Sequence, residues 1–422
     1  MSALKFDLST HYRTATQDAW EALARKGLSG VDLRTPDGLS SRGLYTADDA
    51  PGAPFQSAHV AQPVICARII SADPRAANFA IREAVEGGAA AVRVVLDGAA
   101  QSGDFARVPG EGGVAIRNCA DLESLLEGLD FPEACVTYEA GACAGALATL
   151  LGQIAAAQTS ALPGLRARFG HDCFAALAKY GSHPGSLAQA LSEAGDLAAH
   201  LTKQARDLPV AEIDALPYHD AGATPAQEIA AALAAGLAYL RAFEKAGLTI
   251  AESARNIGFR LGVDTDFIAS VAKLRAFRRA WRLVLEACDP NAAFPPTYVS
   301  AATSGRMLTR SDPHTNLLRT SCAAAAALIA GADALTVLPF TSRLGASRQA
   351  QRLARNIGLI LLREAHLAEI TDPAAGSYAF EALSEELAHA AWAAFQEIEG
   401  EGGLGASLMA GLLQARIAAA RA

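Results

Sequence analysis

The stretch AEIDALPYHDAGATPAQEIAAALAAGLAYLRAFEKAG, residues 211–247, decides the fold. It begins with a short buried run, AEIDAL, and passes through Tyr218, His219 and Asp220 to a glycine turn. It then enters a long alanine-rich helix pattern. Thr224 stands as the N-cap of that helix with Pro225 at its first position, where a missing N–H costs nothing, and Gly247 closes it. A strand followed by a helix of this length is one βα unit. An imidazole at the C-terminal mouth of such a strand, beside a phenol and a carboxylate, sits where an α/β enzyme holds a general acid, and equally where a plain turn histidine would sit.

The same alternation runs outward in both directions. Strand-like runs are VICARII (64–70), AAVRVVL (90–96), ACVTYEA (134–140), LRARFG (165–170), AEIDAL (211–216), NIGFRLG (256–262), TYVSAAT (297–303) and ALTVLPF (334–340), with helix-length amphipathic segments between them. Eight such units predict an α/β fold, a (β/α)8 TIM barrel over residues 63–422. Residues 1–62 form an N-terminal extension, expected to be helical around Asp18 to Lys26 and to serve dimerisation. The arginines of the helix at 266–288 (Arg275, Arg278, Arg279 and Arg282) read as a solvated or inter-subunit face, and Asp312-Pro313 reads as the start of the helix after the seventh strand.

The 422 residues, 51% of them hydrophobic, are enough for a large core, and the net charge of −8 has no block of like charges to hold a nucleic acid. Seven scattered cysteines form no CxxC pair, so neither zinc nor a disulfide framework is expected. No segment reads as a signal peptide or a membrane span, which predicts a cytoplasmic protein. GxGxxG after a strand, GxxxxGK[ST], HExxH and GxSxG are all absent. His171-Asp172 could form an acid/base dyad, although a histidine satisfied by the next helix is the plainer reading.

The segments TSGRMLTRSDPHTNLLRT (303–320), ARN (354–356) and DPAAGSYAFEALSEELAHAAW (372–392) resemble the methylmalonyl-CoA mutase family, as do the leader TPDGLSSRGLYTADDAPGAPF (35–55) and the DAGAT turn (220–224). The resemblance implies a barrel that threads an acyl-CoA down its axis and lies against adenosylcobalamin carried by a flavodoxin-like domain. In active members a tyrosine near the first strand, an arginine and a glutamine of the fourth unit, and a Tyr-His pair of the fifth surround the substrate.

This chain departs from that pattern at each of those points. His59 takes the tyrosine position and Gln62 the neighbouring arginine position; Gly170 and Tyr180 stand for the glutamine and arginine; Ala302 replaces the glutamine before Thr303-Ser304-Gly305. His219 lies three residues before Gly222, where the family has its histidine five before, so Pro217 falls at the catalytic position. Tyr218 and His219 remain the catalytic candidates. His59, Tyr180, Thr303, Ser304 and Arg319 are the expected substrate contacts, and no metal site is expected. No DxHxxG histidine occurs, so no cobalamin-binding domain is expected in the chain. Together these features resemble the small (beta) subunit of a heterodimeric mutase, barrel domain only. That subunit is non-catalytic, reaches adenosylcobalamin through the complex, and partners a large catalytic subunit or a separate cobalamin-binding chain. The alternative is the catalytic acyl-CoA-binding subunit of a split mutase that acts on another acyl-CoA. Small inward side chains would leave the axis open, and bulky ones would fill it.

Overall fold

The computed structural model describes residues 16–27, 32–49, 62–104, 106–129, 135–157, 167–183, 185–204, 208–345 and 347–421. All eight predicted strands are present: β1 Val64–Ile69, β2 Ala91–Val95, β3 Cys135–Glu139, β4 Ala167–Arg168, β5 Ala211–Asp214, β6 Ile257–Val263, β7 Val299–Thr303 and β8 Ala334–Thr336. They run parallel in the order β4-β3-β2-β1-β8-β7-β6-β5. A parallel bridge between His171 and Ala211, with Phe169 N–H donating to Pro209 C=O (3.1 Å) and His171 N–H to Val210 C=O (2.9 Å), joins β4 to β5 and closes the barrel.

Strand β5 ends at Asp214, two residues earlier than the sequence suggests. Pro217 fits the first turn of a helix, and Leu216–Ala221 forms a short one, so Tyr218 and His219 lie on a helix beyond the strand. The following helix, Pro225–Lys245, has the expected Thr224 cap, strengthened by a reciprocal bond from Gln227 into a capping box. After β7 the helix begins at Thr315 and not at Pro313: Asp312 spends its carboxylate on the Thr315 hydroxyl, and His314 takes the cap position.

A 23-residue helix, Tyr378–Gly400, lies outside the barrel over Pro225–Lys245 and Phe267–Cys288. It makes both helices buried on two sides, which explains their alanine content. Gly236 belongs to this packing, since a Cβ there would stand 2.6 Å from Trp281 Cζ3. The outer layer also overturns the reading of the arginine run as a solvated face. Arg275 is 1% exposed and is paired with Asp372 (3.1 Å) and Glu381 (2.8 Å). Arg278 bonds Asp333 and the carbonyls of Thr297 and Gly331, Arg279 meets Glu385, and Arg282 alone of the four makes a simple exposed pair, with Glu286. The DPAAGSY segment therefore forms the clamp for Arg275: Asp372 adopts φ 45°, and Gly376 N–H donates to Glu381 Oε1 at 3.0 Å.

The described part of residues 1–62 holds a helix, Gln17–Gly27, and an antiparallel hairpin of Asp32–Arg34 with Ser40–Arg42. Asp37, in the hairpin turn, accepts a bond from Ala226 N–H (3.2 Å) and so fastens the hairpin to the start of the helix after β5. Among the described residues no helix is long and apolar enough to cross a membrane.

Candidate functional site

The barrel interior is layered. At the N-terminal end, Cys66, Ala91 and Ala334 form a small apolar layer with Val64, Cys135 and Tyr298 packed against it. Above it the inward positions turn ionic. Arg93 of β2 makes a fork with Glu212 of β5, two bonds of 2.7 Å with both side chains 3% exposed, and Ser300 of β7 donates to Glu212 at 2.8 Å. Burial pushes the Glu212 carboxyl up, but the Arg93 guanidinium outweighs it and holds the group below its ordinary value.

The uppermost layer is a second cluster. Arg260 of β6 reaches Glu139 of β3 (3.0 Å) and Asp214 of β5 (3.5 Å). Lys179, on the helix Cys173–Tyr180, reaches the same two carboxylates at 3.2 and 3.3 Å. Burial alone would raise Glu139; Lys179, Arg260 and Arg68 together hold it well below the usual carboxylate range. The cavity left among Arg93, Glu139, Lys179, Glu212 and Asp214 measures about 20 Å³, room for about one water. Side chains from six of the elements around the axis thus occupy the space a ligand would need.

The two catalytic candidates serve different neighbourhoods. Tyr218 is buried with its hydroxyl unpartnered, and burial beside Asp172, Cys173 and Asp214 raises its pKa well above normal. His219 packs its ring against Gly262 of β6, where an added Cβ would come within 2.6 Å of the imidazole Cγ. Its Nδ1 meets Glu228 Oε2 at 2.9 Å, and its Nε2 lies 3.9 Å from Asp264. Glu228 is further held by Lys273 Nζ (2.6 Å) and by Gly262 N–H (2.7 Å). His219 therefore braces the helix after β5 against β6. Gly262→Ala is expected to cost about 1–3 kcal/mol through overpacking, with a smaller cost in a His219→Ala background, as a double-mutant cycle of urea unfolding will read.

Burial raises the Glu228 carboxyl, but Lys273 and His219 bring it down to about 2. Its stabilising contribution is complete above the unfolded value near 4.5 and is lost as pH falls through about 2, because over that window the unfolded chain binds the extra proton. Glu228→Gln should remove this acid-limb component, up to about 3 kcal/mol, when unfolding free energies are measured in steps from pH 7 to pH 2.5.

The expected substrate contacts do not converge on one cavity. Thr303 Oγ1 accepts from Leu338 N–H at 2.8 Å, which ties β7 to the chain leaving β8. Ser304 is fully buried, its N–H bonded to Val263 C=O (2.7 Å) and its Oγ to Arg306 N–H (3.2 Å). Arg319 donates to Asn316 Oδ1 at 2.9 Å on its own helix and to Thr309 Oγ1 at 3.5 Å in the loop before it. Tyr180 does lie at the mouth, bonded to Gln101 (3.2 Å) with the Arg107 guanidinium 4.7 Å above its ring. His59 lies outside the described residues.

His171 is buried against the Tyr239 hydroxyl (2.6 Å), and burial lowers its pKa to about 4, so the ring is neutral. Asp172 caps the helix Cys173–Tyr180 and also takes Asp214 N–H, with burial pushing its carboxyl up to about 7 against those donors. His171 and His219 are 4% and 1% exposed, so neither imidazole is open to a cofactor's metal, and no group of three or more metal-ligating side chains occurs among the described residues. The residues at this mouth do not fit a cobalamin ligand.

A family model described as methylmalonyl-CoA mutase matches residues 62–422. The chain belongs to the methylmalonyl-CoA mutase family. Among relatives of this mutase-family chain, the methylmalonyl-CoA mutase small subunit of Streptomyces virginiae is 37% identical over 98% of this chain and 68% of its own length. The small subunit of Propionibacterium freudenreichii subsp. shermanii is also 37% identical, over 64% of this chain and 42% of its own. The methylmalonyl-CoA mutase of Rhizobium meliloti is 28% identical over 93% of this chain and 59% of its own. The chain thus spans little more than two thirds of the first relative and less of the other two.

The ionic interior escaped the site residues chosen from sequence. Its signal was present as single charges at alternate positions of apolar strands, Arg93 in AVRVV, Glu212 and Asp214 in AEID, and Arg260 in IGFRLGV. A charge in the middle of a parallel strand covered by helices has to find a partner inside the barrel.

Proposed function

We propose that this chain is the small, non-catalytic barrel subunit of an adenosylcobalamin-dependent methylmalonyl-CoA mutase, a cytoplasmic protein that works beside a large catalytic subunit. One observation carries the reading: the axis along which an acyl-CoA would thread is occupied by the Arg93–Glu212 fork and the Glu139–Lys179–Asp214–Arg260 cluster. A thioester arm entering there would have to strip buried ion pairs of their partners, at several kcal/mol for each pair broken. The engagement of His219 by Glu228 and the greater identity to small subunits than to the Rhizobium mutase support the same conclusion. Adenosylcobalamin enters this proposal only through the complex, where it supplies the radical chemistry. The extension at 1–62 would then serve dimerisation.

The test is turnover by the purified chain supplied with adenosylcobalamin and methylmalonyl-CoA, then with a separate cobalamin-binding chain and a panel of acyl-CoAs. No product is expected in either arm, and activity should arise on addition of a large subunit. Turnover in the second arm, without a large subunit, would instead establish the split-mutase alternative.

A further inference from the structure

Two outer helices, Pro74–Glu86 after β1 and Arg348–Arg363 after β8, become neighbours because β8 pairs with β1. Side-chain contacts fix how they sit. Arg348 meets Glu83 at 2.6 Å, and its guanidinium stands 5.5 Å from the centre of the Phe79 ring. Farther along, the Arg355 guanidinium and the Leu359 side chain lie against Gly87 and Gly88, where an added Cβ would come within 2.3 and 3.2 Å of them. The buried side of the second helix is small, with Ala350, Ala354 and Gly358, and Gly358 makes room for Ile65 of β1. The longer side chains of both helices are thereby left to one continuous outer face.

That face has the wrong charge for the chain it belongs to. The two helices carry six arginines (Arg75, Arg82, Arg348, Arg352, Arg355 and Arg363) against two glutamates (Glu83 and Glu86), a surplus of four positive charges in a chain of net charge −8. All but Arg355 are exposed, and the guanidiniums of Arg75, Arg82, Arg352 and Arg363 have no hydrogen-bond or ion-pair partner among the described residues. Apolar side chains stand among them: Phe79 is 60% exposed and Ile360 49%. Arginine beside an exposed aromatic ring is the composition of a protein interface, where such residues supply most of the binding energy.

The charge also selects the occupant. A second copy related by a two-fold axis would set this cationic face against itself, which like-charge repulsion opposes. A nucleic acid would be repelled by the net charge of −8, and its phosphates would gain nothing from Phe79 or Ile360. We propose that the paired helices Pro74–Glu86 and Arg348–Arg363 form a docking face for an acidic surface of a different protein chain, which, on the subunit function proposed above, is the large catalytic subunit. Phe79, with Arg348 against its ring, is the anchor at the seam of the two helices, and the unpaired arginines around it steer the encounter.

The full chain is titrated with the large mutase subunit of its own source organism, and the Kd is read by biolayer interferometry. Arg352→Glu and Phe79→Ala should each weaken the complex about tenfold, and the double variant about a hundredfold. Each variant should keep the native melting temperature within about 2 °C, since both side chains are exposed. Raising sodium chloride from about 50 to about 300 mM should weaken the native complex about tenfold and the Arg352→Glu complex by less. Arg255→Glu, at an exposed arginine just before β6, is the control and should leave the Kd unchanged. A complex that keeps its native Kd in the double variant would overturn the docking face while leaving the subunit function standing. Failure of the native chain to form any complex would overturn both, and tighter binding of a DNA duplex than of the subunit would make the face one for nucleic acid.

Discussion

Glu212→Gln is expected to destabilise the folded chain by about 3–5 kcal/mol, because it leaves Arg93 charged, buried and without its counter-ion. The guanidinium can neither lose its proton nor reach water from a position 3% exposed. Glutamine keeps the volume and one acceptor oxygen, so the loss reports charge and not a cavity. Urea unfolding followed by circular dichroism reads it as a fall in midpoint at unchanged slope. The converse substitution separates pairing from packing. Arg93→Met combined with Glu212→Leu removes both charges and should come within about 1–2 kcal/mol of the native chain, since a buried pair repays little more than its desolvation. A double variant as unstable as the single one would mean that the barrel needs the charges for more than mutual compensation.

Arg275→Met is the second large effect, also about 3–5 kcal/mol. It strands Asp372 and Glu381 in a buried site from which Arg275 had been the cation. Burial raises the Asp372 carboxyl and Arg275 opposes that rise, so removal of the arginine should raise it further. Asp372 also holds a left-handed backbone, which the ion pair helps to maintain. The damage should therefore extend to the outer helix Tyr378–Gly400, seen as faster amide exchange there than in the barrel strands. Arg282→Ala, which removes an exposed pair with Glu286, is the matched control and should cost less than about 0.5 kcal/mol.

The sequence was a good guide wherever one residue type had one local consequence. All eight strands appear in their expected places, and the Thr224-Pro225 cap forms as the pattern predicts. Periodicity failed where a second layer covered a face. Nothing near Arg275 in the chain announces that Asp372 and Glu381, about a hundred residues away, will bury it. The same limit hid the interior. Arg93 and Glu212 are 119 positions apart, and their union depends on barrel closure and on strand phase, which neither segment contains. The count from His219 to Gly222 set the imidazole off the family's catalytic position, but its partner Glu228 belongs to the next helix and becomes meaningful only once Gly262 is set against the ring. Thr303 and Ser304, expected substrate contacts, also tie β7 to the chain leaving β8 and to β6 through a hydroxyl and an amide, bonds that neither segment announces by itself.

The central claim is that the ion pairs leave no passage along the barrel axis. It is tested most directly by calorimetric titration of the purified full chain with methylmalonyl-pantetheine, a thioester that carries no phosphate. No saturable heat is predicted up to millimolar ligand. Stoichiometric binding that is lost in Glu212→Gln would contradict the claim and place the thioester inside the barrel.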